Sequence, residues 1–213
     1  MLIETRKLQY IRSRRCRNLE DVKLRNIVDM ALGFTAMMRL FEKDSKEVIQ
    51  AEILKCLPGF FAAESEKEFK AAHRAFCLWG METIKRTKGK GLNKKGIGVI
   101  SFGHMAKILD VVLHVVIHYA QHPDPGAAKK LSQWLNPAMD NEMMAFLAGC
   151  YPNALERWPK TIEQVLEKDY NKIQETVRQF IKDEQDCTRI PIDFDDVYWE
   201  VLTRKADHRK PKK

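Results

Sequence analysis

Residues 102–122 of this chain read FGHMAKILDVVLHVVIHYAQH, and no other stretch limits the possible folds as tightly. Its apolar residues point in nearly every direction around a helix, and such a helix has to be enclosed by other elements. The polar exceptions Lys107, Asp110, His114, His118 and Gln121 follow at steps of three, four, four and three, which aligns them as one narrow stripe on one helical face. Buried Lys, Asp and His are rare unless paired or functional. The stripe is therefore either the helix's one solvated edge or the lining of a site, and its sequence neighbours favour a site.

The enclosing segments also read as helices. No β-branched run alternates with the period of a strand, and no Asn-Gly hairpin occurs. Residues 19–43 carry apolar side chains at Leu24, Ile27, Val28, Ala31, Leu32, Met38 and Phe41, a period near 3.6. Ser45 can cap a short helix over 46–56, stopped by Leu57-Pro58-Gly59. Ser65 and Glu68 match a capping box opening a helix to about residue 86, with His73 as a packing residue on its inner face. Ser101 is placed to cap the central helix, and His122-Pro-Asp-Pro-Gly126 is a turn. A helix is expected over 127–135. Another opens at Asn136-Pro137 and runs through Asp140 to 148, and the longest amphipathic one covers 162–184. A last helix spans 193–204. The expected fold class is all-α: one domain over 1–204, with a basic arm at 1–18 that is either helical or separate, and a disordered basic tail at 205–213.

Charge is unevenly spread. The net value is +8, yet residues 5–19 hold six basic side chains and no acid, and residues 83–109 hold seven and no acid. Segregation of this kind is the electrostatic footprint of a polyanion binder, although a basic surface also serves solubility alone. No run reaches the ~20 apolar residues of a membrane span, and the N-terminus lacks the apolar core and cleavage site of a signal peptide. The five cysteines are scattered and form no C-x-x-C pair, which argues against zinc ribbons and disulfides and for a reduced, cytoplasmic setting.

Three constellations could carry chemistry. The first is the loop TKGKGLNKKGIGVIS at 87–101. Its glycines let backbone N–H groups approach a phosphate, and a helix N-terminus follows it. Lys88, Lys90, Lys94, Lys95, Gly96 and Gly98 are its candidate contacts, with Arg12, Arg14 and Arg15 from the N-terminal arm. No Gly-Lys-Ser/Thr closes the loop, so it is not a Walker A motif, and a flexible soluble loop would look the same. The second pairs Lys107 with Asp140. A lysine on a largely apolar helix has its charged form disfavoured and its free amine made available, and a carboxylate near a helix start could assist it. Alternatively, Lys107 reaches solvent and pairs with Asp110, while Asp140 only complements its helix dipole.

Gly98-Val-Ile-Ser-Phe-Gly-His-Met-Ala-Lys107-Ile-Leu-Asp-Val-Val-Leu113, followed by Pro137-Ala-Met-Asp140, resembles the core of the helix-hairpin-helix DNA glycosylases. In that family a glycine-rich hairpin grips DNA phosphate ahead of a helix bearing the catalytic lysine, and a catalytic aspartate follows near a later helix start. The gap between Lys107 and Asp140 is nearer the archaeal 8-oxoguanine glycosylase branch than the endonuclease III branch. The resemblance implies that Lys107 attacks the sugar C1′ to form a Schiff base, that Asp140 assists, and that the loop holds double-stranded DNA. It covers about a fifth of the chain. The family's L-P-G-V-G hairpin is replaced here by K-G-I-G-V-I-S-F-G, and its iron–sulfur cysteines are absent.

The third constellation is His114-x-x-x-His118-x-x-x-His122. Two histidines four apart can ligate zinc, with Asp110 one turn earlier, although no H-E-x-x-H motif supports them. Histidines held by hydrogen bonds within the stripe are the plainer expectation, with no metal and no cofactor. Phe102, Trp79, Trp134, Trp158 and Trp199 could sandwich a flipped base, and each is equally a core residue. The sequence thus predicts an all-α DNA-binding protein, either a damaged-purine glycosylase/lyase or a non-catalytic nucleic-acid or protein-interaction module. A metal-dependent enzyme built on Asp110, His114 and His118 is the third reading.

Overall fold

A computed structural model describes residues 19–89, 92–94, 96–184 and 190–197. Arg12, Arg14, Arg15, Lys90, Lys95 and Trp199 lie outside them, as do the basic arm and the tail. The described residues are helical and contain no strand, which establishes the all-α class.

The chain starts with α1 (Leu19–Phe34), α2 (Ser45–Phe61) and α3 (Glu66–Thr83), each packed on the next. Helix α4 (Phe102–Leu113) continues without a break into a π-helical segment, His114–Tyr119. Shorter helices follow, α5 (Pro125–Ser132) and α6 (Asn141–Cys150), then the long α7 (Glu167–Asp183), and residues 193–197 are again helical. Helix α4 is the hub. It packs against α1, α3, α7 and the 3₁₀ turn Ile162–Gln164, while its π segment meets α1 and α5. All of Phe102–Leu113 except Lys107 and Val111 is buried. Each enclosed Leu, Ile or Met there contributes about 1.5–3 kcal/mol. No described helix is long and apolar enough to cross a membrane.

Several boundaries differ from the sequence expectation, each for a local reason. Helix α1 stops at Phe34 because Thr35 turns extended and its hydroxyl accepts from the Met37 N–H, starting a separate 3₁₀ turn, Ala36–Leu40. Helix α2 runs through Pro58 to Phe61. The proline sits in the last turn, and fully buried Phe60, edge-on to Phe69, anchors that turn to the core. Asp124 caps α5, with Pro125 in its first turn, so α5 starts two residues early. Asn136-Pro137 does not open a helix. Asn136 is buried in a tertiary network, and Asp140 is the N-cap of α6, accepting from Glu142 N at 3.0 Å and Met143 N at 2.8 Å. The long amphipathic helix starts only at Glu167. Ser65 and Ser101 cap α3 and α4 as the sequence predicts.

Candidate functional site

The lysine-rich loop is clamped from beneath by its own arginine. Arg86 is buried, its guanidinium pairs with Glu163, and its carbonyl accepts from Gly98 N at 2.7 Å. Thr87 and Lys88 donate from their backbones to Leu40 O at 2.9 and 3.1 Å, and Lys85 O accepts from Glu42 N at 3.0 Å. Gly98 is buried under the guanidinium, and a Cβ there would lie 2.6 Å from Arg86 Nε. Its close approach is thus to arginine within the fold. Gly96 is exposed with φ of 73°, a turn position suited to glycine. Lys85, Lys88 and Lys94 are exposed and form no ion pair among the described residues.

The stripe on α4 divides into three environments. Lys107 is half-buried and makes no hydrogen bond or ion pair among the described residues, so no Lys107–Asp110 pair forms. No direct bond joins it to Asp140 either. Asp110 turns into the core and is fully enclosed. His73 Nε2 donates to its Oδ1 at 2.9 Å, and Tyr170 Oη donates to its Oδ2 at 2.9 Å. Asn136 Nδ2 donates to Tyr170 Oη at 2.9 Å, and Arg178 Nη1 donates to Asn136 Oδ1 at 3.0 Å, carrying the network outward. The His73 and Tyr170 rings stack at 5.3 Å, and Cys77 Sγ lies 3.7 Å from His73 Nδ1. Burial opposes a charge on His73, but the Cys77 sulfur and the Asp110 carboxylate outweigh it and push the imidazole up to about 10. Burial raises the Asp110 carboxyl against the donors that hold it down. His73 is therefore the cationic half of a buried pair and more than a packing residue. Its partner lies 37 positions away.

The third environment is at the π-helical segment. His114 and His118 lie with ring centroids 5.4 Å apart, and residues 190–197 bring Asp195 and Asp196 against them. His114 Nε2 is 3.7 Å and His118 Nε2 is 4.0 Å from the same oxygen, Asp196 Oδ2. His114 Nδ1 faces Asp195 Oδ2 at 3.7 Å, and His118 Nδ1 lies 3.4 Å from Ser132 Oγ. Tyr119 Oη donates to Asp196 Oδ1 while its ring stacks on His114 at 4.6 Å. Burial lowers the His114 pKa, against the nearby Asp196 charge. Asp195 is raised to about 8 by burial and the charges of Asp110, Asp140 and Asp196, against the Ala138 N–H bonded to it. The carboxylate meeting the two histidines is thus Asp196, while Asp110 is committed to His73 and Tyr170.

His104 was not singled out by the stripe, yet its Nδ1 accepts from Ser101 N at 3.1 Å and completes a capping box at the start of α4. Burial, with Arg86 nearby, lowers its pKa to about 4 and keeps it neutral. Phe102 is core, and Trp79, Trp134 and Trp158 are half-buried against it. Comparison of the chain with protein-family models, curated proteins and solved structures finds no match.

Proposed function

We propose that this protein binds nucleic acid, double-stranded DNA foremost, through the lysine loop between α3 and α4. The observation that carries this reading is the division of labour inside an acid-free basic block. Arg86 is spent on Glu163 and on holding the loop, while Lys85, Lys88 and Lys94 face solvent without acidic partners among the described residues. Exposed, unpaired ammonium groups on a tethered loop can each neutralise a phosphate and release a counterion. The free thiols Cys56, Cys77 and Cys150 are in keeping with a reducing, cytoplasmic setting.

Replacing Lys85, Lys88 and Lys94 together with Ala is expected to weaken duplex binding regardless of sequence. The log–log salt slope should fall by about 0.9 per lost phosphate contact. Those side chains are exposed, so circular dichroism should remain that of the parent. Unchanged affinity and slope would remove the loop from the interface.

A lysine-dependent glycosylase/lyase is the second reading, favoured by Lys107 being half-enclosed with its amine tied to no partner among the described residues. Attack of that amine on C1′ would break the N-glycosidic bond and release the base with a proton, or lose water at an abasic aldehyde. The resulting Schiff base is reduced by borohydride to a covalent protein–DNA adduct. Wild type is expected to form the adduct on duplexes containing 8-oxoguanine or an abasic site, and Lys107→Ala to form none while still binding duplex. Absence of adduct on both substrates would discard the enzyme and leave the binding protein.

A further inference from the structure

We propose that His114 Nε2, His118 Nε2 and Asp196 Oδ2 form a site for one divalent transition-metal ion, with a coordination position left for water or a substrate atom. The site is independent of the nucleic-acid reading, and neither requires the other.

The donor set is the first ground. Two imidazoles and a carboxylate suit zinc and its first-row neighbours, and three protein ligands are what an open zinc site uses. Orientation is the second. Each imidazole turns its Nδ1 toward a different outer partner, Asp195 Oδ2 at 3.7 Å for His114 and Ser132 Oγ at 3.4 Å for His118. With Nδ1 turned to those outer oxygens, a proton on Nδ1 leaves Nε2 as the lone-pair donor facing the cluster. Both Nε2 atoms then converge on one carboxylate oxygen. The other oxygen of Asp196 is taken by the Tyr119 hydroxyl, which leaves Oδ2 to the histidines.

Distance is the third ground. The approaches of 3.7 and 4.0 Å are too long for hydrogen bonds, and the three ligand atoms lie within 4.8 Å of one another. Bonds of ~2.0–2.1 Å to a tetrahedral ion put ligand atoms about 3.4 Å apart, so the two imidazole–carboxylate approaches have to close by about 0.3 and 0.6 Å to hold an ion. His114 supplies an independent sign. Its residue is 7 % exposed, and its Nε2 is buried with no hydrogen-bond partner among the described residues. A buried polar atom without a partner calls for one, and this atom is aimed into the cluster.

Charge points the same way. Asp195 and Asp196 sit side by side, and neither meets a Lys or Arg among the described residues. A dication would balance the Asp196 carboxylate. The backbone is a π-helical segment, a form that recurs at functional positions, and it places histidines four apart with rings 5.4 Å from each other. A cavity of about 400 Å³ is bordered by His118, Ser132, Lys129 and Ile190, which gives an ion a way in.

The test uses untagged full-length protein stripped with chelator and titrated with Zn²⁺ by calorimetry and with Co²⁺ by visible absorption. One equivalent of each is expected to bind, with Co²⁺ developing the intense bands of low-symmetry coordination. Asp196→Asn keeps the shape of an exposed side chain, so it should fold, and it is expected to weaken Zn²⁺ binding about 100-fold. Ser132→Ala removes only an outer partner and should cost about 10-fold. No stoichiometric binding to wild type, or Zn²⁺ affinity unchanged in Asp196→Asn, would overturn the site.

Discussion

His73 and Asp110 show what one residue pair can decide. Both are enclosed, and Asp110 accepts from an imidazole and a phenol at once. Removing one member of a buried pair leaves the other charge uncompensated, at a cost of about 3–5 kcal/mol. Asp110→Asn, nearly the same shape, is expected to lower the unfolding free energy by about that amount in urea titrations. The pH dependence has a definite sign. The folded pKa of His73, about 10, lies above the value of about 6.5 expected in the unfolded chain. The stabilisation carried by His73 is therefore complete below pH ~6.5 and is lost as pH rises through ~10. Wild type should lose stability across that window and Asp110→Asn, which keeps Cys77 beside the imidazole, should lose less. Parallel curves would show that the slope arises elsewhere. The spacing of the stripe singled out Asp110 from sequence, but its partners stand 37 and 60 positions away on helices that no local pattern brings together.

At the scale of elements, the first turn of α4 is the tightest junction. Gly103 N donates to Val165 O at 3.2 Å, and a Cβ on Gly103 would lie 2.7 Å from Ile162 O and from Val165 Cβ. Ser101 joins the same junction by donating its hydroxyl to Ile162 O at 2.9 Å. Alanine would gain up to ~1 kcal/mol in helix propensity at an open position, while forced overpacking costs ~1–3 kcal/mol. Gly103→Ala is therefore expected to destabilise by about 1–2 kcal/mol. Gly33→Ala, with nothing within 4 Å of the added carbon, should stabilise by a few tenths to about 1 kcal/mol. Urea midpoints of the two variants measure the difference, and equal shifts would deny the close contact. Helix starts marked by Ser65 and Ser101 were readable because a cap is a local bond. The starts of α6 and α7 were not, because Asn136 is drawn into Tyr170 and Arg178, and Ile162–Gln164 is held against Gly103 as a separate turn.

For the whole molecule, the period of the apolar residues and the lack of strand signals were enough for the all-α class, since both are properties of a chain read along its length. The histidine pair was legible for the same reason. Its carboxylate was not: Asp110 was nearer in sequence, and only the return of residues 190–197, seated by buried Ile192 and Phe194, puts Asp196 there instead. The acid-free basic blocks were legible as composition, and the structure adds that Arg86 is their internal anchor. The enclosure of α4 bears on how such a chain is made. Synthesis runs from the N-terminus, so α4 emerges when α1 to α3 can already cover part of it, while its remaining cover, from α5 to α7, has yet to be translated. At ~5–20 residues per second that interval lasts several seconds. During it, a helix sticky on all sides is only half clothed and open to other nascent chains. The burial that makes the finished domain cohere makes the unfinished one the species most exposed to aggregation.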